Sequence, residues 1–260
     1  MDLKKIGKLS EAASDEVTEL CSGLVKFNSA HPTGYTDEVV TYIKKYLDKH
    51  GIENEVHATD PKKSNIVARV KGKGKKVLWV GHIDVVPEGK PENWTYPPYS
   101  GTIADGCVWG RGSSDMKGAC AAAMVSARIL HEMKDVPNTV EFWFTADEEI
   151  GGGAGARWLA ESGRFKGDIC VIGDGNGGGP EAPSIDLGCK GGAGVKLIAR
   201  GRTAHGSTPY LGDNAITKLI KGIPWVEKIG EYRLDYPKEL KPVIDSSIEF
   251  YKTAQPLTPE

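Results

Sequence analysis

Apolar positions recur at helical spacing near the start of the chain and at strand spacing further on. Over 15–27, Val17, Leu20, Cys21, Leu24 and Val25 mark one helical face, with Asp15 and Glu16 in a first turn where negative charge suits the helix dipole. Pro32-Thr33-Gly34 breaks the pattern. A second amphipathic helix over 36–50 carries Val40, Ile43 and Leu47 on one face, and Gly51 ends it. Both helices are expected to cover a sheet. Strands over 52–58 and 65–70 follow, and a Gly- and Lys-rich turn leads to a very apolar segment, 76–80, expected as a central strand.

A Pro-rich loop over 86–99 is too long to be a simple connection and is a candidate wall of a site. Asp105-Gly106 between alternating residues predicts a tight hairpin over 102–109. The Ala-rich stretch 116–133 predicts a helix able to approach a sheet closely, 139–145 a strand, a helix through Trp158 and Leu159, and 168–173 a further strand. This alternation gives an α/β fold: a mixed, mostly parallel sheet flanked by helices. Texture changes at the Gly-rich stretch 186–192, so two domains are expected, 1–188 and 189–260. The second opens with a strand over 194–200, a polar loop over 201–211 and a helix from about Asp213; after Tyr232 the chain is charged and lacks clear periodicity.

The 260 residues have 39% hydrophobic and 26% charged content and a formal net charge of −2, so no global charge draws the chain to nucleic acid or to a membrane surface. No apolar run reaches the length of a signal segment or a membrane span. Five cysteines without a CxxC spacing, Cys21, Cys107, Cys120, Cys170 and Cys189, read as reduced, packed thiols, and a cytoplasmic location follows.

The chemistry gathers at strand ends. His82 and Asp84 lie two residues apart after the central strand, so an imidazole can bind a metal while the carboxylate accepts its other ring N–H. Asp115 follows a Gly-rich turn; its carboxylate can bridge two ions, and it can equally cap the helix after it. Gly110 and Gly112 lack the Gly-Lys-Ser/Thr ending of a phosphate loop. Glu148 and Glu149, directly after an apolar strand in what should be a compact, water-poor turn, become tolerable beside divalent cations. Asp174, after the last strand, completes an oxygen-rich set suited to paired Zn²⁺, Co²⁺ or Mn²⁺.

Gly81-His82-Ile83-Asp84, Gly110-Arg111-Gly112-Ser113-Ser114-Asp115-Met116-Lys117-Gly118, Asp147-Glu148-Glu149 and Gly201-Arg202-Thr203-Ala204-His205-Gly206-Ser207-Thr208-Pro209 together resemble the co-catalytic zinc aminoacylase/carboxypeptidase family. That family includes acetylornithine deacetylase, succinyl-diaminopimelate desuccinylase, glutamate carboxypeptidase and dipeptidases. The resemblance implies that His82 and Asp174 hold one metal, Glu149 the other, and Asp115 bridges both, with a cis peptide to Met116. It implies that Asp84 orients His82, that Glu148 is the general base on the attacking water, and that His205, on a lid domain, stabilises the oxyanion, often in a partner's site. The expected activity is hydrolysis of an N-acyl-amino acid or short peptide by a homodimer that contacts neither nucleic acid nor membrane. Asp174, where many deacylases have Glu, resembles the dipeptidase and aminopeptidase branch. A further His ligand of the second metal lies, in the family, beyond the point where this chain stops, so a longer protein is expected. The alternative is a non-catalytic remnant with a partial metal site.

Overall fold

The computed structural model describes residues 3–174, 194–232 and 235–254. It divides into two compact units, Met1–Cys189 and Lys190–Glu260. The Gly-rich stretch 186–192, with Cys189, lies outside the described residues.

Helices α1 (Leu3–Ala12), α2 (Ser14–Val25) and α3 (Asp37–Lys49) open the first unit, followed by strands β1 (Glu53–Ala58), β2 (Ser64–Val70) and β3 (Lys76–His82). A small hairpin, β4 (Thr102–Ala104) and β5 (Cys107–Trp109), precedes helix α4 (Gly118–Met133), strand β6 (Thr139–Thr145), helix α5 (Ala156–Glu161) and strand β7 (Ile169–Ile172). Asp105 and Gly106 take φ of 54° and 74°, the pair of positive values that a twisted two-residue hairpin turn requires.

The main sheet has the order β1-β2-β6-β3-β7. β2 alone runs against the other strands, so the sheet is mixed with four of five strands in one direction. β3 lies inside it, parallel to both β6 and β7, and these three strands end on the same edge. An imidazole and carboxylates placed just past those ends are therefore brought close together.

Register explains why these strands read as almost continuous apolar runs. Ala68, Phe142 and Trp79 stand side by side across β2, β6 and β3, as do Val67, Trp143 and Val80 one residue along. Successive residues point to opposite faces. The first set packs with Leu24, Ile43, Leu47 and Met124 under the helices, and the second with Leu159, Trp158 and Phe165 on the other face. Each fully buried Leu, Ile or Phe contributes about 1.5–3 kcal/mol relative to exposure. Ala121, Ala123 and Ala127 act as expected, buried with Cys120 in α4, which packs on β2, β3 and β6, while Ala119 is half-buried and Ala122 exposed. α3 covers β1 and β2, whereas α2 lies chiefly against α4 and the β4–β5 hairpin.

The cysteines are less uniform than expected. Cys21 and Cys120 are buried, but Cys107 and Cys170 are exposed, all four as free thiols. Cys107 sits at the hairpin and Cys170 on β7, whose residues are exposed.

In the second unit, 194–200 forms no strand, because no segment among the described residues offers it a ladder of hydrogen bonds; Arg202 and Asp213 make a single bridge. Helix α6 (Ala215–Glu227) begins where the pattern predicts, with Asn214 Oδ1 accepting from the Ile216 and Thr217 N–H groups at 2.9 and 3.1 Å. A further helix, α7 (Lys241–Ala254), occupies the segment that lacks clear periodicity. Among the described residues no helix is long and apolar enough to cross a membrane.

Candidate metal centre

His82 closes β3 with its ring 2% exposed. Nδ1 lies 2.9 Å from the main-chain oxygen of Asp84, and Nε2 lies 3.0 Å from Asp115 Oδ1. A carbonyl only accepts, so the first bond places a proton on Nδ1 and aims Nε2 at the carboxylates. Burial opposes charge on this ring, but Asp84, Glu148 and Asp115 outweigh it and hold His82 above its ordinary pKa.

Asp115 sits in a wide turn, Ser113–Lys117, entered through Gly112 at φ 81°, where a side chain would run into Val85. The Asp115–Met116 peptide is cis, as the resemblance implies. Asp115 does not cap α4, whose N-cap position is Lys117 with no side-chain cap bond; its φ and ψ are −120° and 98°, and its side chain is 64% exposed. The two residues after it are buried. Met116 Sδ accepts the His82 N–H at 3.1 Å, and Lys117 Nζ donates to the Phe27 carbonyl at 2.7 Å. Burial pushes Lys117 down to about 8, against the pull of Cys120 and Asp84.

The third group follows β6. Asp147 takes φ 67°, pairs with Lys63 at 2.7 Å and accepts the Ala154 N–H at 3.2 Å. Asn65, fully buried, ties the same loop at both ends, accepting from the Ala146 N–H and donating to the Ala154 carbonyl, each at 2.9 Å. Gly155 packs so closely that a Cβ would strike the Ala146 carbonyl. Gly155→Ala should therefore destabilise the first unit by about 1–3 kcal/mol, read from denaturant melts; an unchanged midpoint would show that this loop is not held as described.

Two expectations need correction here. The Asp84 carboxylate does not take the His82 ring N–H: Oδ1 lies 3.7 Å from Nδ1, and the closer acceptor is Asp84's own carbonyl. The carboxylate instead accepts the N–H groups of Glu148 and Glu149 at 3.1 and 3.2 Å, the orphan donors of the short 3₁₀ turn Glu148–Ile150. Nor is that turn water-poor, since the Glu148 side chain is 52% exposed. The loop's own hydrogen bonds tuck the backbone inward and leave the carboxyl groups outward.

Donor atoms of His82, Asp115 and Asp174 lie within 4.8 Å of one another, and Glu148 Oε2 is 3.9 Å from His82 Nε2. Burial, followed by mutual repulsion, raises Glu148, Glu149 and Asp174 above ordinary carboxylates, and Asp115 is the leading charge acting on both Glu149 and Asp174. An imidazole nitrogen and several repelling carboxylates on one spot form the donor set a divalent cation satisfies. His205 belongs to the second unit, exposed, with Nδ1 2.8 Å from Ser207 Oγ.

The 86–99 loop is fastened to the turn before Asp115: the Arg111 N–H donates to the Pro98 carbonyl at 2.7 Å, and its guanidinium lies 5.1 Å from the Trp94 ring. Sequence reasoning missed His31, which meets Asp84 Oδ2 at 2.9 Å, as well as Lys63, Asn65 and Lys117.

The chain as a whole is similar to known proteins. A Staphylococcus aureus protein named as a probable succinyl-diaminopimelate desuccinylase is 36% identical over 187 residues, covering 71% of this chain and 45% of its own, so this chain spans about half the length of that relative. Among solved structures, a metallo-carboxypeptidase from Sulfolobus solfataricus, Sso-CP2, aligns with a TM-score of 0.69 at 21% identity over 92% of this chain and 59% of its own. Human carnosine dipeptidase 1 aligns at 0.56 and 23% identity over 66% of this chain and 41% of its own. Both structures share the fold of mixed sheet and flanking helices. With residues 78–258 matching its profile, the chain belongs to peptidase family M20/M25/M40, whose members are metal-dependent hydrolases of amide bonds.

Proposed function

We propose that the full-length protein hydrolyses the amide bond of an N-acyl-amino acid or short peptide, using two divalent ions of which Zn²⁺ suits the donors best and Co²⁺ or Mn²⁺ can substitute. His82 and Asp174 would hold one ion, Glu149 the other, and Asp115 both. Such ions, when bound, polarise a carbonyl and acidify water. The chain's own residues do the rest. Glu148 takes a proton from the attacking water and passes it to the leaving nitrogen, and burial, the largest influence on it, raises its carboxyl above an ordinary glutamate and so makes it a better proton acceptor. Asp84 fixes the turn that carries Glu148, while its carbonyl fixes the His82 tautomer. His205 is assigned to the oxyanion.

The convergence of His82, Asp115 and Asp174 beside Glu148 carries this reading. The name of the Staphylococcus aureus relative supports an N-succinyl-amino acid substrate. A second reading, a dipeptide, rests on Asp174 in place of Glu. Full-length protein loaded with Zn²⁺, Co²⁺ or Mn²⁺ should cleave members of a panel of N-succinyl and N-acetyl amino acids and dipeptides. The preferred group decides between the two readings, and no cleavage of any member would defeat both. Dimerisation is assigned to the second unit, where Ile216, Ile220 and Ile223 of α6 are exposed. The free thiols support a reducing, cytoplasmic location.

A further inference from the structure

The geometry points to His31 as a positioning residue that, through Asp84, fixes the Glu148–Glu149 turn at the metal centre. Its side chain is 7% exposed, and Nε2 meets Asp84 Oδ2 at 2.9 Å. The carboxylate accepts, so Nε2 carries the proton; Nδ1, buried and without a hydrogen-bond partner, is the bare nitrogen. The ring has little room to turn. It lies against Gly34, at φ 57°, where a Cβ would run into it. Its backbone is held as well: the His31 N–H donates to the Val85 carbonyl at 3.2 Å, and the Val85 N–H donates to the Ser29 carbonyl at 3.2 Å. Ser29 Oγ donates to the Ile83 carbonyl at 2.7 Å. The segment around Ala30 thus runs beside the continuation of β3.

Asp84 is fully buried, and a carboxylate offers about four acceptor positions. Three donors meet it: the Glu148 and Glu149 N–H groups and His31 Nε2. A fourth candidate, His82 Nδ1, waits 3.7 Å from Oδ1. His31 holds Oδ2 on the side of Glu149. Without it the carboxylate can rotate toward His82, releasing the amides of the turn and competing for the proton that sets the His82 tautomer. One distant histidine thereby governs both the placement of Glu148 and the direction in which His82 presents Nε2. The catalytic consequence rests on the proposed reading of Glu148 as base; the positioning itself does not.

The test uses full-length protein, both metal-free and Zn²⁺-loaded. Hydrogen exchange of the Glu148 and Glu149 amides should be faster by about tenfold or more in His31→Leu, in the metal-free state as well as the loaded one. kcat on the best substrate of the panel should fall by about 10–100-fold with KM little changed. His31→Gln, which keeps an N–H donor near the Nε2 position, should restore most of the protection and of kcat. If His31→Leu does not fold, His31→Asn, whose amide stops short of Asp84, takes its place. Wild-type protection of both amides in the donor-free variant would overturn the proposal, as would a Gln variant no better than that variant. Altered protection alongside wild-type turnover in a Glu148→Gln protein would keep His31 in its role and remove Glu148 from the base position.

Discussion

Replacing Glu148 by alanine in the full-length protein should lower amide turnover by about 10²–10⁴-fold while leaving the bound metal in place. The turn is held by main-chain contacts: Asp84 accepts the N–H of residue 148, and the Gly151 N–H donates to its carbonyl at 2.8 Å. Alanine keeps both. Its missing carboxylate is half exposed, so no buried cavity is created. The groups assigned to metal, His82, Asp115, Glu149 and Asp174, keep their supports: Met116 under His82, the Gly112 turn under Asp115, Asp84 under the Glu149 amide. What disappears is the proton carrier. Steady-state kinetics together with metal content by mass spectrometry separate the outcomes. Wild-type turnover would refute the assignment, and loss of metal in step with activity would make Glu148 a ligand instead.

The strand ends were legible because period and punctuation agreed there. An apolar run ending in Gly81-His82 reads as a buried strand emptying its last side chain at the sheet edge, and β6 repeats that logic before Glu148; β7, though exposed, runs parallel to β3 and ends before Asp174. The Asp-Gly hairpin was equally plain, since the two-residue turn leaves those residues little choice of φ. Supporting contacts were hidden for the opposite reason. His31, Asn65 and Lys117 are single polar residues far in sequence from what they touch, and neither periodicity nor local spacing records a partner 53, 89 or 90 positions away. Asp84 misled because it stands two residues from His82, which suggested the side chain as the acceptor, whereas the carbonyl is the group within reach. Segment 194–200 misled because strand propensity says nothing of whether a neighbouring strand exists.

Stripping the divalent metal from the full-length protein should abolish activity and lower its melting temperature, with a pH dependence opposite to that of most carboxylate-rich folds. Glu148, Glu149 and Asp174 are raised in the metal-free fold, first by burial and then by neighbouring carboxylates, Asp84 acting most on Glu148 and Asp115 on the other two. A carboxylate raised on folding stabilises the fold fully below its unfolded pKa, about 3.9 for Asp and 4.3 for Glu. That contribution is lost as pH rises through the folded value, because the folded state then gives up protons the unfolded chain has already released. The metal-free protein should thus lose stability as pH rises from about 4 through the raised folded values, and Glu149→Gln, which removes one repelling charge, should melt higher than the parent when both are metal-free. Metal binding needs the same carboxylates ionised, so the stabilisation by Zn²⁺ should grow across that interval. At free metal about 100 times Kd, one ion adds about 2.7 kcal/mol, which for a cooperative unit of about 150–250 residues is about 5–10 °C. In Glu149→Gln the gain should shrink, since the ligand assigned to one ion is gone. Calorimetry with and without chelator at several pH values reads all of this. A metal-induced shift that was larger at acid pH, or a metal-free Glu149→Gln protein less stable than its parent at neutral pH, would mean that the carboxylates on this sheet edge were not gathered for a cation.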